Sequence, residues 1–302
     1  MEKATSISGG GKSRTAAEKI MNIIFLACGC ATVVCLVCMT AYMIFSGGPV
    51  IAKVGVFRFL FSQIWDPENS EFGILPMILS SLIATSCAIL IALPTGLLTA
   101  VFLSKIAPPK LASALRAVID LLAGIPSVVY GLLGAILIVP LVFNLQTALG
   151  LPQSGCLLSA IIILVIMILP TIISVSETAI RAVPKQYEDA SLALGSTRLQ
   201  SVFKVTVPAA GSGIAAGTVL GVGRAIGEAM AVMMVAGNAA VMPEFLRPVR
   251  LLTASIPLEW AYSSGLHREA LYGIGLVLFV FIMIINILLN MVLKRGAGSG
   301  GK

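Results

Sequence analysis

The sequence predicts an all-α integral membrane protein with six transmembrane helices. Of its 302 residues, 58% are hydrophobic and only 11% are charged, too few charges to cover a soluble surface. Several uncharged runs reach the roughly 20 residues that a membrane helix needs, and runs of this length favour helices over a barrel. Arg224 and Glu228 lie inside one such run, and ionisable residues at that depth indicate function.

Composition also excludes several functions. The net charge is +7, but Lys and Arg are spread among loops, so membrane orientation explains them and a nucleic-acid surface is not predicted. The six cysteines are interpreted as small hydrophobic residues, without a metal or disulfide role. Gly11-Lys12-Ser13 resembles the end of a phosphate-binding loop, but Ser6 occupies the required glycine position. The chain therefore has no ATPase motif of its own.

The polar residues 1–20 are predicted to form a disordered tail. Residues 21–45 form the first span, and Gly47-Gly48-Pro49 is expected to end it. An outer segment follows to residue 71, and an interfacial helix is possible between Val54 and Trp65.

Residues 72–104 form a second, longer span, in which Pro76 and Pro94 predict tilt or a kink. A basic loop follows. The third span covers residues 117–143, and the sequence Gly-Ile-Pro-Ser at 124–127 is expected to break it in its middle. Pro126 leaves backbone carbonyls that need partners. Ser127 could therefore line a polar path, or it could bond to its own helix backbone.

Residues 156–180 form the fourth span, with Glu177 and Arg181 at helical pairing distance near its end. Residues 182–208 are too polar to span and form an elbow of two short helices. Gly195 ends the first helix, and Thr197 and Gln200 have the spacing of a capping box for the second.

The fifth span covers residues 209–237. Gly213, Gly217 and Gly221 form a stripe that lets another helix approach closely. Arg224 lies roughly 24 Å along the helix from Pro208, well inside the bilayer. Glu228 is one turn further on and is expected to neutralise Arg224. The pair could exchange partners when an anion passes, or it could be a permanent structural ion pair.

Residues 238–270 form an outer segment, in which His267 is expected to be solvated. Residues 271–293 form the last span. Six spans place both termini on one side of the membrane, and most of the 20 Lys and Arg residues fall on that side. Both termini and the elbow are therefore predicted to be cytoplasmic.

The elbow resembles the EAA loop of the membrane subunits of ABC importers. Aligned on Gly195, the family pattern falls on Asp189-Ala190-Ser191, with Asp in place of Glu, Ser in place of Ala, and Glu188 as a neighbouring acid. The spacing from Gly195 to Pro208 also matches the pattern.

A narrower resemblance covers nearly the whole chain after the tail. The runs WDP at 65–67, GIPSVVYG at 124–131 and GRAIGEAMAV at 223–232 resemble phosphate-specific permeases of the PstC type. The resemblance implies the MetI-like type I ABC importer permease fold. It divides the chain into a cytoplasmic tail (1–20), a first transmembrane helix (21–46), a periplasmic segment (47–71), a permease domain (72–295) with its coupling loop (182–208), and a second tail (296–302).

The resemblance also implies a phosphate importer of the bacterial inner membrane, in which this permease forms half of the path by alternating access. Its partners would be a PstA-like permease, two PstB-like ATPases that hold ATP and Mg, and a periplasmic PstS-like protein. The chain itself would bind no cofactor. The substrate path would include Arg224, Glu228 and Ser127, and coupling to the ATPase would involve the elbow residues Glu188, Asp189, Ala190 and Gly195.

Three other functions are compatible with parts of the sequence. The same fold could carry sulfate or molybdate. A carrier driven by protons or sodium would show internal repeats and more polar groups at the membrane midplane, and the sequence has neither. A membrane anchor or sensor scaffold would have no need for the elbow.

Overall fold

The computed structural model describes residues 11–298, and these are helical apart from one short hairpin and the connecting loops. Three π-helical segments continue preceding helices: π1 (Phe102–Ile106), π2 (Gly134–Ile138) and π3 (Val202–Thr206). The helices in chain order are α1 (Gly11–Val54), α2 (Val56–Phe61), α3 (Leu75–Val101), α4 (Pro109–Gly124), α5 (Ser127–Leu133), α6 (Val139–Ala148), α7 (Leu157–Ala182), α8 (Lys185–Ala193), α9 (Arg198–Ser201), α10 (Val207–Ala209), α11 (Gly211–Gly227), α12 (Met230–Val235), α13 (Leu252–Glu259) and α14 (Gly265–Gly298).

Within the described residues, five helical stretches are long and apolar enough to cross a membrane. The two parts Arg198–Ala209 and Gly211–Gly227, bent by 68° relative to each other, can supply a sixth span. The five are Glu18–Val54, Leu75–Ile106, Ser127–Ala148, Leu157–Ala182 and Gly265–Leu288.

Helix α7 lies at the centre of the bundle. Its first half is apolar nearly all round, which is typical of a buried helix, and 61% of its most apolar window is buried. Helices α3 and α11 pack on it most extensively. The glycine stripe of α11 makes that contact, since a Cβ on Gly221 would lie 2.9 Å from Ile172 Cγ1. The predicted close helix approach is therefore present within this chain.

Helix α1 is longer than predicted at both ends. It begins at Gly11, so residues 11–20 are helical and the prediction of a disordered tail is wrong for them; residues 1–10 lie outside the described residues. It also continues through Gly47-Gly48-Pro49 to Val54. Gly47 lies against α14, where an added Cβ would be 2.6 Å from Gly273 N. Packing against α14 offsets part of the cost of a proline inside the helix, as neighbouring helices do in membranes.

The third span was also placed wrongly. Helix α4 ends at Gly124, Ile125 and Pro126 are extended, and the apolar helix begins at Ser127 and reaches Ala148. The break therefore lies at the start of the span and not in its middle. Helix α4 carries Arg116 and Asp120 and is a separate helix, packed on α7.

The outer segment before the second span contains the short helix α2 and a hairpin of two strands, β1 (Trp65–Asp66) and β2 (Glu71–Phe72). Trp65 pairs with Phe72 in antiparallel register. The side-chain amide of Asn69 donates to Asp66 Oδ2 at 2.7 Å, and this bond lowers the pKa of Asp66 below its ordinary value. The hydrogen bond therefore stabilises the ionised form of the Asp66 carboxyl.

Candidate translocation site and coupling segment

Arg224 projects from α11 toward the central helix. Its Nη1 donates a hydrogen bond to Thr171 Oγ1 of α7 at 3.1 Å. This is the one hydrogen bond of the guanidinium within the described part of the chain, and no carboxylate lies within ion-pair distance of it there. Arg224 is half-buried. A cation without a counter-charge in a membrane helix is costly, so the position favours an anion.

Glu228 lies at a break between two helices. Helix α11 ends at Gly227, and Glu228 itself has extended backbone with ψ 122°. Its Oε1 accepts a hydrogen bond from Ala231 N at 2.9 Å, in the first turn of α12. Its carbonyl accepts a hydrogen bond from Thr253 Oγ1 of α13 at 2.7 Å. The fifth span predicted as one continuous helix is therefore interrupted here.

The interruption separates the two charges predicted to pair. An i,i+4 pair requires helical backbone through both residues, and the helix stops one residue before Glu228. The structure shows no ion pair between Arg224 and Glu228. The alternative of a permanent structural ion pair is wrong for this conformation.

Ser127 is the first residue of α5 and is half-buried. Among the described residues it makes no hydrogen bond with Arg224 or Glu228. Its helix nevertheless packs on the segment that Glu228 caps, since a Cβ on Gly131 would lie 2.8 Å from Ala231 Cα. The structure thus places Ser127 on a helix adjoining the break but not in direct contact with either charge.

The elbow has the predicted local structure. Gly195 adopts φ +86°, the left-handed conformation that glycine accepts without strain, and it follows the end of α8 at Ala193. Thr197 and Gln200 form the predicted capping box at α9. Asp189 and Ala190 are exposed, and α8 buries none of its residues.

Glu188 is held by the membrane bundle. Its Oε2 accepts a hydrogen bond from Lys105 Nζ at 2.7 Å, and the two side chains are 24% and 16% exposed. Lys105 lies in π1, which continues α3 and forms the last part of the span Leu75–Ile106. Ser201 Oγ donates to the Glu188 carbonyl at 3.5 Å. This ion pair fastens α8 to the inner end of α3.

A second carboxylate lies at the inner end of α7. Glu177 pairs with Arg181, as the spacing predicts, at 2.9 Å. It also accepts a hydrogen bond from Arg116 Nε of α4 at 2.5 Å. The Glu177 side chain is 7% exposed, so two guanidinium groups compensate one buried carboxylate.

The outer segment contains a buried polar cluster around Glu259, which we call the outer cluster. Trp65 Nε1 donates to Glu259 Oε2 at 3.0 Å, Arg250 Nη1 forms an ion pair with Oε1, and His267 Nε2 lies 2.8 Å from Oε2. His267 is 16% exposed, so the prediction of a solvated histidine is wrong. Buried carboxylates recruit such donors because desolvation is costly.

Sequence reasoning missed several of these partners. Thr171 is 53 positions from Arg224, and Trp65 is 194 positions from Glu259. Neither spacing belongs to a local motif. Lys105 and Arg116 were visible only as basic loop residues. The one available signal was WDP at 65–67, which singled out Trp65 without indicating its partner.

The structure is a bundle of spans with a charged residue inside one of them, and a polar helical elbow is attached to the end of the bundle. These features together are those of a membrane transport subunit. The model for the family described as "Binding-protein-dependent transport system inner membrane component" matches residues 92–296. The chain belongs to this family. It is a permease subunit and not an enzyme, because ATP hydrolysis in such transporters is carried out by separate ATPases.

Relatives extend this match over most of the chain. It is 38% identical over 278 residues to "Probable ABC transporter permease protein YqgH" of Bacillus subtilis (strain 168), covering 88% of this chain and 89% of the relative. It is 32% identical over 311 residues to "Phosphate transport system permease protein PstC" of Xylella fastidiosa (strain Temecula1 / ATCC 700964), covering 97% and 96%.

Solved structures share the fold. A bacterial alginate ABC transporter in complex with an alginate pentasaccharide-bound periplasmic protein superposes with a TM-score of 0.65 at 14% identity, over 96% of this chain and 99% of that one. The inward-facing MetNI methionine ABC transporter superposes with a TM-score of 0.54 at 20% identity, over 74% and 94%. The fold is therefore that of the MetI-like ABC importer permeases.

Proposed function

We propose that this chain is one permease of an ATP-driven importer of inorganic phosphate and forms half of the translocation path by alternating access. The observation that carries the proposal is Arg224, a guanidinium inside a spanning bundle whose hydrogen-bond partner is a neutral hydroxyl. Guanidinium groups bind two phosphate oxygens at once. A relative named as a phosphate permease over nearly the full length supports the choice of anion.

Glu228 belongs to the same proposed path. If residues 211–235 became one continuous helix, Glu228 would lie one turn from Arg224 and could pair with it. The broken helix would then leave Arg224 available to the anion, and the straight helix would neutralise it. A carboxylate can also accept a hydrogen bond from a protonated phosphate oxygen. Fully ionised sulfate has no such proton. Ser127 would contribute a hydroxyl from α5.

The proposed assembly follows from the family. A PstA-like permease would complete the path, two PstB-like ATPases with ATP and Mg would dock beneath, and a PstS-like periplasmic protein would deliver phosphate. The exposed Asp189 and Ala190 and the turn at Gly195 would contact the ATPase. Both termini would face the cytoplasm of a bacterial inner membrane, with lipid around the spans.

The test is ATP-dependent uptake of phosphate into vesicles that contain the chain and these partners. Arg224→Gln should abolish uptake and leave assembly intact. Arg247→Gln is the matched control, because Arg247 is an exposed outer residue paired with Glu244. Unchanged uptake by Arg224→Gln would remove the residue from the path.

The second candidate substrates are other oxyanions, which the same guanidinium could bind. Sulfate and molybdate are therefore offered to the same vesicles. Uptake of either one without uptake of phosphate would overturn the substrate assignment and leave an ABC permease of different selectivity.

A further inference from the structure

In the second half of α7, the side chains that are exposed before the final residue Ala182 are all polar. Between Pro170 and Arg181 the exposed residues are Ser174, Thr178 and Arg181, while the others are buried or half-buried. They follow Thr171 at intervals of three, four and three residues. These intervals place all four side chains on one face of the helix.

This face begins at the partner of the intramembrane charge. Thr171 accepts the hydrogen bond of Arg224. The ten residues from Thr171 to Arg181 extend about 15 Å along the helix. Side chains that face lipid are apolar, because lipid offers no hydrogen bonds. A polar face in this position is therefore directed at water, at a partner or at a passing solute.

The face ends in a cavity between α4 and α7 with a volume of about 190 Å³. The cavity has cationic, anionic and hydroxyl side chains in its wall. Its lining residues are Arg116, Ile119, Asp120, Ser174, Glu177, Thr178 and Arg181.

The charges of this cavity favour brief binding of an anion. Arg116 and Arg181 share the single buried carboxylate of Glu177 through their Nε atoms, so Arg181 keeps further N–H groups for a ligand. Asp120 offsets the remaining positive charge. A site of balanced charge retains an anion weakly, as a route that must release its solute requires.

We propose that the face formed by Thr171, Ser174, Thr178 and Arg181, together with this cavity, is the exit route by which a tetrahedral oxyanion leaves Arg224 for the cytoplasm. This inference rests on the proposed function. Hydroxyl groups on successive turns replace part of the water that the anion loses. Ser174 Oγ makes no hydrogen bond among the described residues, and Thr178 Oγ1 donates only to the Ser174 carbonyl. Both can turn toward a solute.

The first test removes the hydroxyl groups. In vesicles containing the whole transporter, Ser174→Ala and Thr178→Val should each lower the maximal rate of phosphate uptake about fivefold, the effect of one lost hydrogen bond. The apparent KM for external phosphate should stay within about twofold, because delivery from outside is untouched. Thr95→Val is the matched control.

Thr95 suits this purpose because its hydroxyl also donates to the backbone four residues earlier, the carbonyl of Ile91, at 2.7 Å. It is exposed on α3, but its exposed neighbours Leu90, Ile91 and Leu98 are apolar. Thr95→Val should transport phosphate at the wild-type rate. Wild-type rates for both α7 variants would overturn the proposal.

The second test acts after folding. Ser174→Cys is treated in inside-out membrane vesicles with a negatively charged thiol reagent that does not cross membranes, and the transporter is then reconstituted. The thiol should react, and phosphate uptake should fall at least tenfold because the added charge repels the anion. Thr95→Cys should stay unmodified, and the untouched wild-type chain controls for the six native cysteines.

The two proposals fail differently. If the wild-type transporter moves no phosphate, the substrate assignment fails, while modification of Ser174→Cys still shows a water-filled route. If the wild-type transporter moves phosphate but the Ser174→Cys thiol does not react, or reacts without effect, the exit route is wrong and the importer stands.

Discussion

Glu259 shows how one buried carboxylate organises an outer segment. Its side chain is 8% exposed, and a charge so far from water costs several kcal/mol unless donors compensate it. Trp65, Arg250 and His267 supply those donors from a hairpin, a loop and a spanning helix. The outer cluster therefore joins three parts of the fold through one residue.

Loss of this carboxylate should be costly. Glu259→Ala leaves Arg250 buried without its counter-charge, and we expect the free energy of unfolding to fall by about 3 kcal/mol. Glu244→Ala removes an exposed carboxylate that pairs with Arg247, and it should cost less than about 1 kcal/mol. Unfolding in detergent followed by tryptophan fluorescence measures both. Equal losses for the two variants would contradict a structural role for the outer cluster.

Substitutions at Glu228 can separate the effect of its charge from its effect as a cap of α12. Glu228→Gln keeps an oxygen that can accept from Ala231 N, so the free energy of unfolding should stay close to wild type, whereas Glu228→Ala should lower it by about 1 kcal/mol. If the carboxylate exchanges partners during transport, the Gln variant should still lose about tenfold in phosphate uptake, a typical effect of about 1.4 kcal/mol on a barrier. Wild-type uptake by Glu228→Gln would limit the residue to capping.

The intramembrane charges could be found from the sequence, because Arg and Glu stand out in an apolar run. Their contacts could not. Thr171 is an ordinary threonine in a hydrophobic helix, and only the packing of α11 on α7 brings it to Arg224.

At the scale of elements, α8 is the part of the elbow that is least buried against the bundle, whereas Val202 further along the elbow lies in a buried cluster with Val101 and Leu103. Helix α8 buries no residue, and the ion pair between Glu188 and Lys105 connects it to π1 at the end of α3. Helix α3 in turn packs along α7. Movement of α8 would therefore be passed to the spanning helices through this pair, in addition to its chain connection to α7 and its contact with π3.

A charge reversal tests the connection. Lys105→Glu should place two carboxylates together and lower phosphate transported per ATP hydrolysed about fivefold, a change of roughly 1 kcal/mol that suits a partly buried pair. Lys105→Glu combined with Glu188→Lys should restore most of the ratio. Lys110→Glu, in the first turn of α4, should change it little. A double variant as defective as the single one would show that the pair itself is not needed.

Sequence patterns described the elbow better than they described the spans. Gly195, Thr197 and Gln200 act through neighbouring backbone, so local spacing was sufficient. Hydropathy measures composition and is insensitive to helix ends. The prediction from hydropathy therefore ended the first span too early and carried the fifth span past its break. Neither the packing of Gly47 on Gly273 nor the turn at Glu228 changes the apolar content of the sequence.

At the scale of the molecule, the apolar runs predicted six spans, and the described residues contain five, or six if the bent pair is counted as one span. The packing of the spans was not predicted. Residues 18–38 of α1 are exposed and none of them belongs to a hydrophobic core, although Val50 near the end of α1 does, whereas α7 is largely enclosed. The two helices are similarly hydrophobic in sequence. Their difference arises from which helices contact them, and that information is not local.

The distribution of positive charge predicts the orientation of the chain, and this prediction can be checked directly. Leu194→Cys lies at the tip of the elbow, where the side chain is 90% exposed, and it should react with an impermeant thiol reagent only in inside-out vesicles. Phe57→Cys in α2 is 81% exposed and should react only in intact spheroplasts. Because the chain has six native cysteines, the wild type treated with the same reagent is the reference. The reverse pattern of thiol reactivity would show that the topology is the opposite of the predicted one.

The residues of the outer cluster are synthesised at different times, so its contacts form in a fixed order during biogenesis. Trp65 precedes the second span, whereas Glu259 and His267 lie on either side of the beginning of the last one. The indole of Trp65 is therefore synthesised long before the Glu259 carboxylate that it binds. Until α14 is present, the outer cluster lacks His267, and the core that Phe72 shares with Leu271 and Ile274 is incomplete. Completion of the chain would then stabilise the outer segment in a single late step. A protein whose synthesis stopped before this step would have a hairpin without its partners, accessible to quality-control proteases.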